Sequence, residues 1–287
     1  MILSIIIVNY NVKNLLRECL LSVQKSTQSI DTEIWVVDNA SNDQSVDMIK
    51  TEFPNIHLIE NSINLGFAKA NNQALEQVSG EYVLFLNPDT KVNKSSIDNC
   101  LLHAKSHPKC GGIGVRMIDS DGHFLKESKR GFPTPWASFC RFSYLSTLFP
   151  KSAVFNRYYM GHLEEDKRHK IDILAGAFIF IKKEILMTVG GFDDTYFMFG
   201  EDIDLSHRIQ QAGYHNFYLG DTSILHHKGK STNRKSTEYI DRFFGAMKIF
   251  VKTYYPKTYP FYAIVISAII FFKKMMLKIR SFNLNRS

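Results

Sequence analysis

The stretch that decides the fold runs Leu84-Phe85-Leu86-Asn87-Pro88-Asp89-Thr90. Its apolar beginning predicts a buried strand, after which Asn87 and Asp89 project from one side of the chain, with Pro88 stiffening the turn between them. One amide and one carboxylate in this arrangement suit a divalent cation held against a diphosphate, because Mg²⁺ and Mn²⁺ prefer oxygen ligands. A plain polar turn after a core strand is the alternative interpretation of this segment taken alone.

Three further apolar strands precede this one, and each also ends in a polar residue. Apolar residues recur at helical spacing between strands, which predicts βαβ units and a largely parallel sheet through residue 118. The predicted strands are Ile2 to Val8, Glu33 to Val37, Ile56 to Ile59 and Tyr82 to Leu86. The polar residues at their ends are Asn9, Asp38, Asn61 and Asn87. Because ligands bind beyond the carboxyl ends of the strands in an open α/β sheet, we expect these ends to form one crevice.

The second half of the chain has a different pattern. Residues 120–170 combine prolines with clustered aromatic residues, which predicts a loop-rich insertion. Regular structure is predicted again at Ile171 to Lys182, then as a helix from Glu201 to Ala212 and as a strand from Tyr214 to Leu219. We expect the two halves to share one site.

The composition excludes several classes of protein. With 287 residues, of which 45% are hydrophobic and 22% charged, the chain can bury a core, which excludes a disulfide mini-protein and a disordered acidic chain. The four cysteines form no CxxC pair and no metal-ligand spacing, as expected for reduced thiols in the cytosol. The first apolar run is short and has no basic residue before it, so it predicts a buried strand rather than a signal peptide.

The formal net charge of +7 arises in the C-terminal tail. No acidic residue follows Asp241, whereas nine basic residues do. The run from Phe261 to Phe272 is uncharged and apolar, and Lys273 and Lys274 follow it. Because this run is shorter than the roughly 20 residues of a spanning helix, we predict that residues 236–287 form a basic, apolar helical tail that inserts shallowly into an anionic membrane leaflet. A helix docked on the domain or in a dimer is the alternative, and nucleic-acid binding is disfavoured because an aliphatic run suits lipid better than stacked bases.

A second candidate segment, Asp38-Asn39-Ala40-Ser41-Asn42-Asp43, begins at the end of a predicted strand. A carboxylate at Asp38 can accept a hydrogen bond from the imide nitrogen of a pyrimidine base. In the alternative interpretation, Asp38 or Ser41 only caps the next helix.

The most specific segment runs from Gly190 to Gly213 and leads through an aromatic-rich turn into a helix that opens with Glu201 and Asp202. The helix dipole stabilises carboxylates in the first turn, so both are expected to stay ionised and able to take a proton from an attacking hydroxyl. In the alternative interpretation, Asp202 caps the helix and Asp204 pairs with Arg208, four residues later.

His226 opens a fourth polar segment, His226-His227-Lys228-Gly229-Lys230-Ser231. A neutral imidazole at His226 can complete a metal site, and the Gly, Lys and Ser that follow suit phosphate oxygens. A single histidine is usually not a ligand, so this prediction depends on the metal site at Asp89.

Taken together, these segments resemble glycosyltransferase family 2, and within it the rhamnosyltransferase-like enzymes of bacterial surface polysaccharide synthesis. The resemblance covers about residues 1–235 and does not extend to the tail. Six ordered motifs carry it: Ser4 to Asn11, Val36 to Ser41, Asn64 to Ala68, Leu86 to Asp89, Gly176 to Phe178, and the helix that begins with Glu201 and Asp202.

The resemblance implies a GT-A fold, an α/β class with a Rossmann-like, mixed and mostly parallel sheet flanked by helices. We accordingly predict a nucleotide-binding half at residues 1–118, an acceptor and catalytic half at 119–235, and the helical tail at 236–287. The implied donor is a nucleotide-diphosphate sugar, and the implied transfer inverts the anomeric carbon.

The resemblance also assigns roles to residues by position. Those matched to donor binding are Asn9, Tyr10, Asp38, Asn64, Gly66, Asn87 and Asp89. Asp202 matches the catalytic base, with Glu201 beside it, and Gly176 and Ala177 match the acceptor side. Asp89 and His226 match the ligands of Mg²⁺ or Mn²⁺. Because Asn87 replaces the first acid of the family's DxD element, Asp89 is expected to provide most of the metal binding.

The implied reaction transfers L-rhamnose from dTDP-L-rhamnose to a lipid-linked or oligosaccharide acceptor at the cytoplasmic face of the cell membrane. Transfer of a hexose from a UDP donor, or of galactofuranose, uses the same framework. A catalytically idle nucleotide-sugar-binding scaffold is a further alternative, and the sequence leaves the oligomeric state open.

Overall fold

A computed structural model of the protein describes residues 1–227 and 237–284, with residue 272 and residues 276–284 described by their backbone alone. The strands are β1 (Leu3–Asn9), β2 (Thr32–Asp38), β3 (His57–Glu60), β4 (Tyr82–Leu86), β5 (Thr90–Lys91), β6 (Cys110–Ile118), β7 (Arg168–Ile171), β8 (Phe178–Lys182) and β9 (His215–His226). The α-helices are α1 (Lys13–Ser26), α2 (Ser45–Glu52), α3 (Phe67–Leu75), α4 (Lys94–Ser106), α5 (Pro135–Phe142), α6 (Leu145–Leu148), α7 (Lys183–Val189), α8 (Glu201–Gln211), α9 (Thr237–Tyr254) and α10 (Tyr259–Leu284).

The strands form one mixed sheet in the order β3-β2-β1-β4-β8-β6-β9-β5, with β7 beside β9. Strands β3, β2, β1 and β4 are all parallel, as expected for the βαβ units of the first half. Strand β8 then runs antiparallel to both β4 and β6, whereas β6 and β9 are parallel. The predicted α/β class with a mixed sheet is confirmed.

The sheet is covered by helices on both faces because its central strands are apolar on both sides. In β1, Leu3, Ile5 and Ile7 belong to the apolar cluster on one face, whereas Ile6 belongs to the cluster on the other. Successive side chains of a strand point to opposite faces, so this strand requires two apolar partners. Helices α1 and α4 contribute to the first cluster, and α3, α7 and α8 contribute to the second.

The predicted elements of the second half differ from the structure in extent. The predicted strand Tyr214 to Leu219 is longer and ends at His226, because β9 pairs with β6, β7 and β5 in turn. The region Ile171 to Lys182 divides into the end of β7 and the whole of β8. Within residues 120–170, short helices α5 and α6 interrupt the predicted loops.

The tail forms a pair of packed helices. Ile240 and Phe244 of α9 form a small apolar cluster with Ile266 of α10. The hydroxyl of Tyr254 donates a hydrogen bond to Asp204, which attaches the pair to α8. Among residues 1–227 and 237–284, no helix combines the length and the apolarity that crossing a membrane requires.

Candidate active site

A cavity of about 650 Å³ opens beyond the carboxyl ends of β1 and β4. Ten of the twelve site residues named from the sequence line it: Tyr10, Asn64, Gly66, Asn87, Asp89, Gly176, Ala177, Glu201, Asp202 and His226. The expectation that both halves contribute to one crevice is therefore met. Asn9 and Asp38 do not line this cavity. Both are buried, and the residues that follow them in sequence, Tyr10 and Asn39, do line it.

Strand pairing brings Asp89 and His226 together. Thr90 of β5 lies opposite His226 of β9, and the amide of His227 donates to the carbonyl of Asp89 at 2.8 Å. The Nε2 atom of His226 consequently lies 3.3 Å from Oδ1 of Asp89, whose side chain is only 1% exposed. Residues 228–231 of the fourth polar segment lie outside the described residues.

The donor set at this point fits a divalent cation. Asp89 offers carboxylate oxygens and His226 an imidazole nitrogen, and both side chains face the cavity. Two protein ligands leave the other coordination positions to phosphate oxygens and water, the usual arrangement at nucleotide sites.

Asp202 is held by an arginine that the sequence motifs do not reveal. Nη2 of Arg130 donates to Oδ2 of Asp202 at 2.5 Å and to the carbonyl of Leu174 at 2.7 Å. The amide of Gly176 donates to the same Oδ2 at 3.1 Å. Burial opposes the charge of Arg130, but the negative charge of Asp202 raises the pKa of the guanidinium above its ordinary value. The Asp202 carboxylate is thus fixed at the cavity wall.

Arg130 reaches this position through a bridge between distant segments. It forms an isolated antiparallel bridge with Ile173, just before the turn that carries Gly176. The arginine lies in the insertion, where no periodicity or motif distinguishes it from its neighbours. Sequence analysis therefore missed the residue in closest contact with the predicted base.

Glu201 corrects the expectation that both carboxylates at the start of α8 stay ionised. Burial and, to a smaller extent, the negative charge of Asp202 raise its pKa to about 8, although the charge of Arg130 acts in the opposite direction. Its Oε2 atom is buried without a hydrogen-bond partner among the described residues. The cost of burying a charge outweighs the stabilisation from the helix dipole, and this favours the protonated form of Glu201.

Asp38 has both oxygens bound within its own half. Oδ2 accepts from Nδ2 of Asn9 at 2.7 Å, and Oδ1 accepts from the amide of Ser41 at 2.8 Å. Neither Asp38 nor Ser41 caps α2, because that helix follows Gln44, which makes no side-chain capping bond. The capping alternative is therefore wrong, and Asp38 ties the loop after β2 to the end of β1.

The other alternative at α8 holds for Asp204 and fails for Asp202. Asp204 pairs with Arg208 at 2.7 Å, as the spacing of four residues predicts. Asp202 does not cap the helix, since residue Gly200 occupies the cap position and makes no side-chain bond. Asp204 is thus a packing residue, and Asp202 is available to the cavity.

Gly66 is required by a close backbone approach at the cavity edge. Its φ is +86°, and a Cβ atom there would lie 2.4 Å from the carbonyl oxygen of Phe197. Only glycine tolerates both conditions. The amide of Phe67 donates to that same carbonyl at 2.7 Å, which joins α3 to the aromatic turn before α8.

Helix α9 closes part of the cavity, which the sequence analysis did not anticipate. Glu238, Tyr239, Arg242 and Phe243 line it. The guanidinium of Arg242 lies 4.1 Å from the ring centroid of Phe197, and its Nη2 is 2.5 Å from a carboxylate oxygen of Glu238. Part of the tail therefore belongs to the site itself.

This fold and cavity define the class of GT-A glycosyltransferases. The mannosyltransferase PcManGT of Pyrobaculum calidifontis, solved with GDP-mannose and Mn²⁺, superposes with a TM-score of 0.57 at 20% identity. The match covers 87% of this chain and 64% of that structure, so the chain spans slightly less than two thirds of that structure's length.

The family model for glycosyl transferase family 2 matches residues 4–190, and the chain belongs to that family. It is 28% identical over 250 residues to N-acetylglucosaminyl-diphospho-decaprenol L-rhamnosyltransferase of Mycobacterium tuberculosis (strain CDC 1551 / Oshkosh), covering 83% of this chain and 80% of the relative. It is 26% identical over 171 residues to the rhamnosyltransferase WbbL of Escherichia coli (strain K12), covering 56% of this chain and 61% of the relative. The chain is therefore a glycosyltransferase of family 2 that is similar to rhamnosyltransferases.

Proposed function

We propose that this enzyme transfers L-rhamnose from dTDP-L-rhamnose, with inversion, to a lipid-linked or oligosaccharide acceptor in the synthesis of a bacterial surface polysaccharide. The two rhamnosyltransferases similar to the chain support the choice of sugar, and the first of them acts on a lipid-linked diphospho-sugar by its name. The observation that carries the proposal is that Asp89, His226 and Asp202, far apart in sequence, line one cavity.

Asp202 is the proposed general base. An alcohol is a weak nucleophile, so a carboxylate must accept its proton as the new bond forms. Arg130 and the amide of Gly176 hold Asp202 in place, and the acceptor hydroxyl then meets a carboxylate of fixed orientation. Gly176 and Ala177 lie on this side of the cavity and are the proposed acceptor contacts.

Glu201 plays a different part because burial favours its protonated form. A protonated carboxyl donates a hydrogen bond and adds no negative charge beside Asp202. We assign it the role of a neutral neighbour that keeps one carboxylate, not two, at the point of attack.

The donor occupies the other end of the cavity in this proposal. Tyr10 is 47% exposed and offers its ring to the nucleobase, while Asn64, Gly66 and Asn87 line the path between base and sugar. A cation bound by Asp89 and His226 would neutralise the charge that develops on the departing diphosphate. Because the acceptor attacks the sugar from the opposite face, the reaction requires no covalent intermediate with the protein.

We further propose that the enzyme works at the cytoplasmic face of the membrane, with the helical tail as a peripheral contact. Phe261, Ile264 and Phe271 of α10 are each more than 60% exposed, which leaves an apolar face available to lipid. The other faces of the tail helices pack on each other and on α8.

The decisive experiment is a screen of the purified protein against nucleotide sugars, with Mn²⁺, with Mg²⁺ and with a chelator, reading the release of nucleoside diphosphate. We expect dTDP-L-rhamnose to give the fastest release and the chelator to abolish it. Faster turnover of a UDP-hexose or of UDP-galactofuranose would overturn the choice of donor. Absence of turnover with every donor, together with intact nucleotide binding, would establish the idle scaffold instead.

A further inference from the structure

The insertion carries an unusual exposed surface on α5, on α6 and on the residues at either end of α6. Its members are apolar or aromatic and between 47% and 72% exposed: Trp136, Phe139, Phe142, Tyr144, Leu148 and Phe149. We call this surface the aromatic ledge. Scattered exposed apolar residues are ordinary, but a group concentrated on one short segment marks a surface that meets a partner.

The way in which α5 begins and packs orients the side chains of the ledge toward solvent. Thr134 caps α5, its hydroxyl accepting from the amide of Ala137 at 3.2 Å, and Pro135 occupies the first helical position. Ala137 and Cys140 are buried against the protein. Since Trp136 and Phe139 occupy the opposite side of this helix, they face solvent.

The ledge is continuous across its two helices. The rings of Trp136 and Phe139 stack with centroids 5.7 Å apart. The ring of Phe155 bridges Trp136 and Phe149, at centroid distances of 6.3 and 5.0 Å. Ring contacts of this kind maintain the surface as a unit.

The charges within the segment that carries the ledge have one sign. Residues 128–163 contain five basic residues and no acidic residue. Of the five, Arg141, Lys151 and Arg157 are exposed. An apolar surface rimmed by cations complements a surface that is apolar inside and anionic outside.

We propose that the aromatic ledge docks on an anionic lipid bilayer. Tryptophan and tyrosine favour the boundary between headgroups and acyl chains, and each basic residue near an anionic surface adds about 1 kcal/mol of attraction. A second copy of this chain would instead bring two sets of like charges together. The proposal concerns binding alone and is independent of the transfer reaction proposed above.

The position of the ledge gives this docking a consequence for the cavity. Arg141 lies on α5 together with Trp136 and Phe139, and it also lines the cavity. Its guanidinium lies 4.9 and 5.4 Å from the ring centroids of Tyr158 and Tyr159, which line the same wall. Docking through the ledge would place this edge of the cavity next to the bilayer.

Tryptophan fluorescence tests the proposal directly because the chain contains only Trp35 and Trp136. Trp35 lies in β2, stacked on His57, and Trp35→Phe leaves Trp136 as the single reporter. We expect vesicles of equal parts phosphatidylcholine and phosphatidylglycerol to shift its emission to shorter wavelength, and brominated acyl chains to quench it. Phosphatidylcholine alone should give a much smaller change. If Trp35→Phe fails to fold, the difference between wild-type and Trp136→Phe spectra supplies the same signal.

Three results would overturn the proposal. In the first, the protein sediments with vesicles while Trp136 emission stays unchanged, which assigns the contact to the tail. In the second, the protein does not bind anionic vesicles at all. In the third, the emission shifts with protein concentration in the absence of lipid, which assigns the ledge to a second copy of the chain.

Matched variants separate the ledge from general surface hydrophobicity. Phe139→Ser with Phe149→Ser should weaken vesicle binding by at least about 10-fold, because two aromatic side chains leave the apolar contact. Leu102→Ser with Met187→Ser is the control, since those side chains are 64% and 67% exposed and lie on α4 and α7. Equal loss of binding in both pairs would contradict the assignment to the ledge.

Discussion

Asp38 and Asp202 both stand beside the cavity region, yet they are held in opposite ways. Asp38 is bound by Asn9 and Ser41, partners from its own half, and it does not line the cavity. Asp202 lines the cavity and is bound by the buried guanidinium of Arg130 and by the amide of Gly176. A carboxylate whose oxygens are taken by neutral groups away from the cavity stabilises the strand ends that it joins, whereas one fixed at a cavity wall by a buried cation is placed for chemistry.

The largest effect should come from the base. Asp202→Asn keeps the size of the side chain but removes its ability to accept a proton. We expect turnover to fall by about 10²- to 10⁴-fold while calorimetry shows unchanged donor binding. Asp121→Asn, on an exposed turn, should leave turnover unaltered. Retained activity in Asp202→Asn would remove the basis for the contrast with Asp38.

The buried ion pair should give the next largest effect. Arg130→Met leaves Asp202 without its cation, and removing one partner of a buried pair costs about 3 to 5 kcal/mol of unfolding free energy. Turnover should also fall, by about 10²-fold, because the base is no longer held in position. Combining Arg130→Met with Asp202→Asn should restore part of the stability.

Arg168→Met provides the control for denaturant unfolding of the Arg130 variant. This substitution breaks the ion pair between Arg168 and Asp221. The two side chains are 37% and 45% exposed. Exposed pairs contribute up to about 1 kcal/mol, so this loss should be much smaller. Equal losses in the two variants would show that the Arg130 pair has no special role.

Asp89→Asn tests the metal site. Loss of the charged ligand should raise the Mn²⁺ concentration that gives half-maximal activity. We expect a rise of at least roughly 10- to 100-fold, because the loss of a residue that only hydrogen-bonds to a metal ligand already weakens metal binding by that factor. Nucleotide release is measured across a Mn²⁺ titration, with Asp166→Asn, an exposed position outside the cavity, as the matched substitution. An unchanged Mn²⁺ requirement would exclude Asp89 as a ligand.

Glu201 should make stability depend on pH. Its pKa is about 8 in the folded protein and 4.5 in the unfolded chain, so the folded state binds more protons between these values. The unfolding free energy should therefore fall as pH rises through that window, by on the order of a few kcal/mol. Glu201→Gln should abolish this slope in urea titrations, whereas Glu184→Gln, an exposed control, should retain it.

Asp38→Asn should have the smallest effect on turnover. It disturbs the bonds to Asn9 and Ser41 and should lower the unfolding free energy by about 1 to 2 kcal/mol. Donor affinity, measured by calorimetry, should change little. Loss of donor binding at unchanged stability would instead support the role matched to Asp38 by family resemblance, and would end the contrast with Asp202.

The sequence-based predictions were correct where the interactions join residues that are near each other in sequence. Strands β1 and β4 and their polar ends were predictable because a short apolar run and the turn residues that end it are local properties of the sequence. The same is true of Asp204 and Arg208, whose pairing follows from helical spacing. The cap proposed at Asp38 was wrong because two competing partners, Asn9 and Ser41, satisfy its oxygens first.

The sequence by itself determined the class of fold, the family and ten residues of the cavity wall, since these follow from periodicity and from motifs in short segments. Only the tertiary structure decided that Arg130 holds Asp202, that α9 closes part of the cavity and that burial raises the pKa of Glu201. The physical reason is that ion pairing and pKa depend on burial and on neighbours from distant segments. Residues 130 and 202 become partners only when the sheet and the insertion have folded around them.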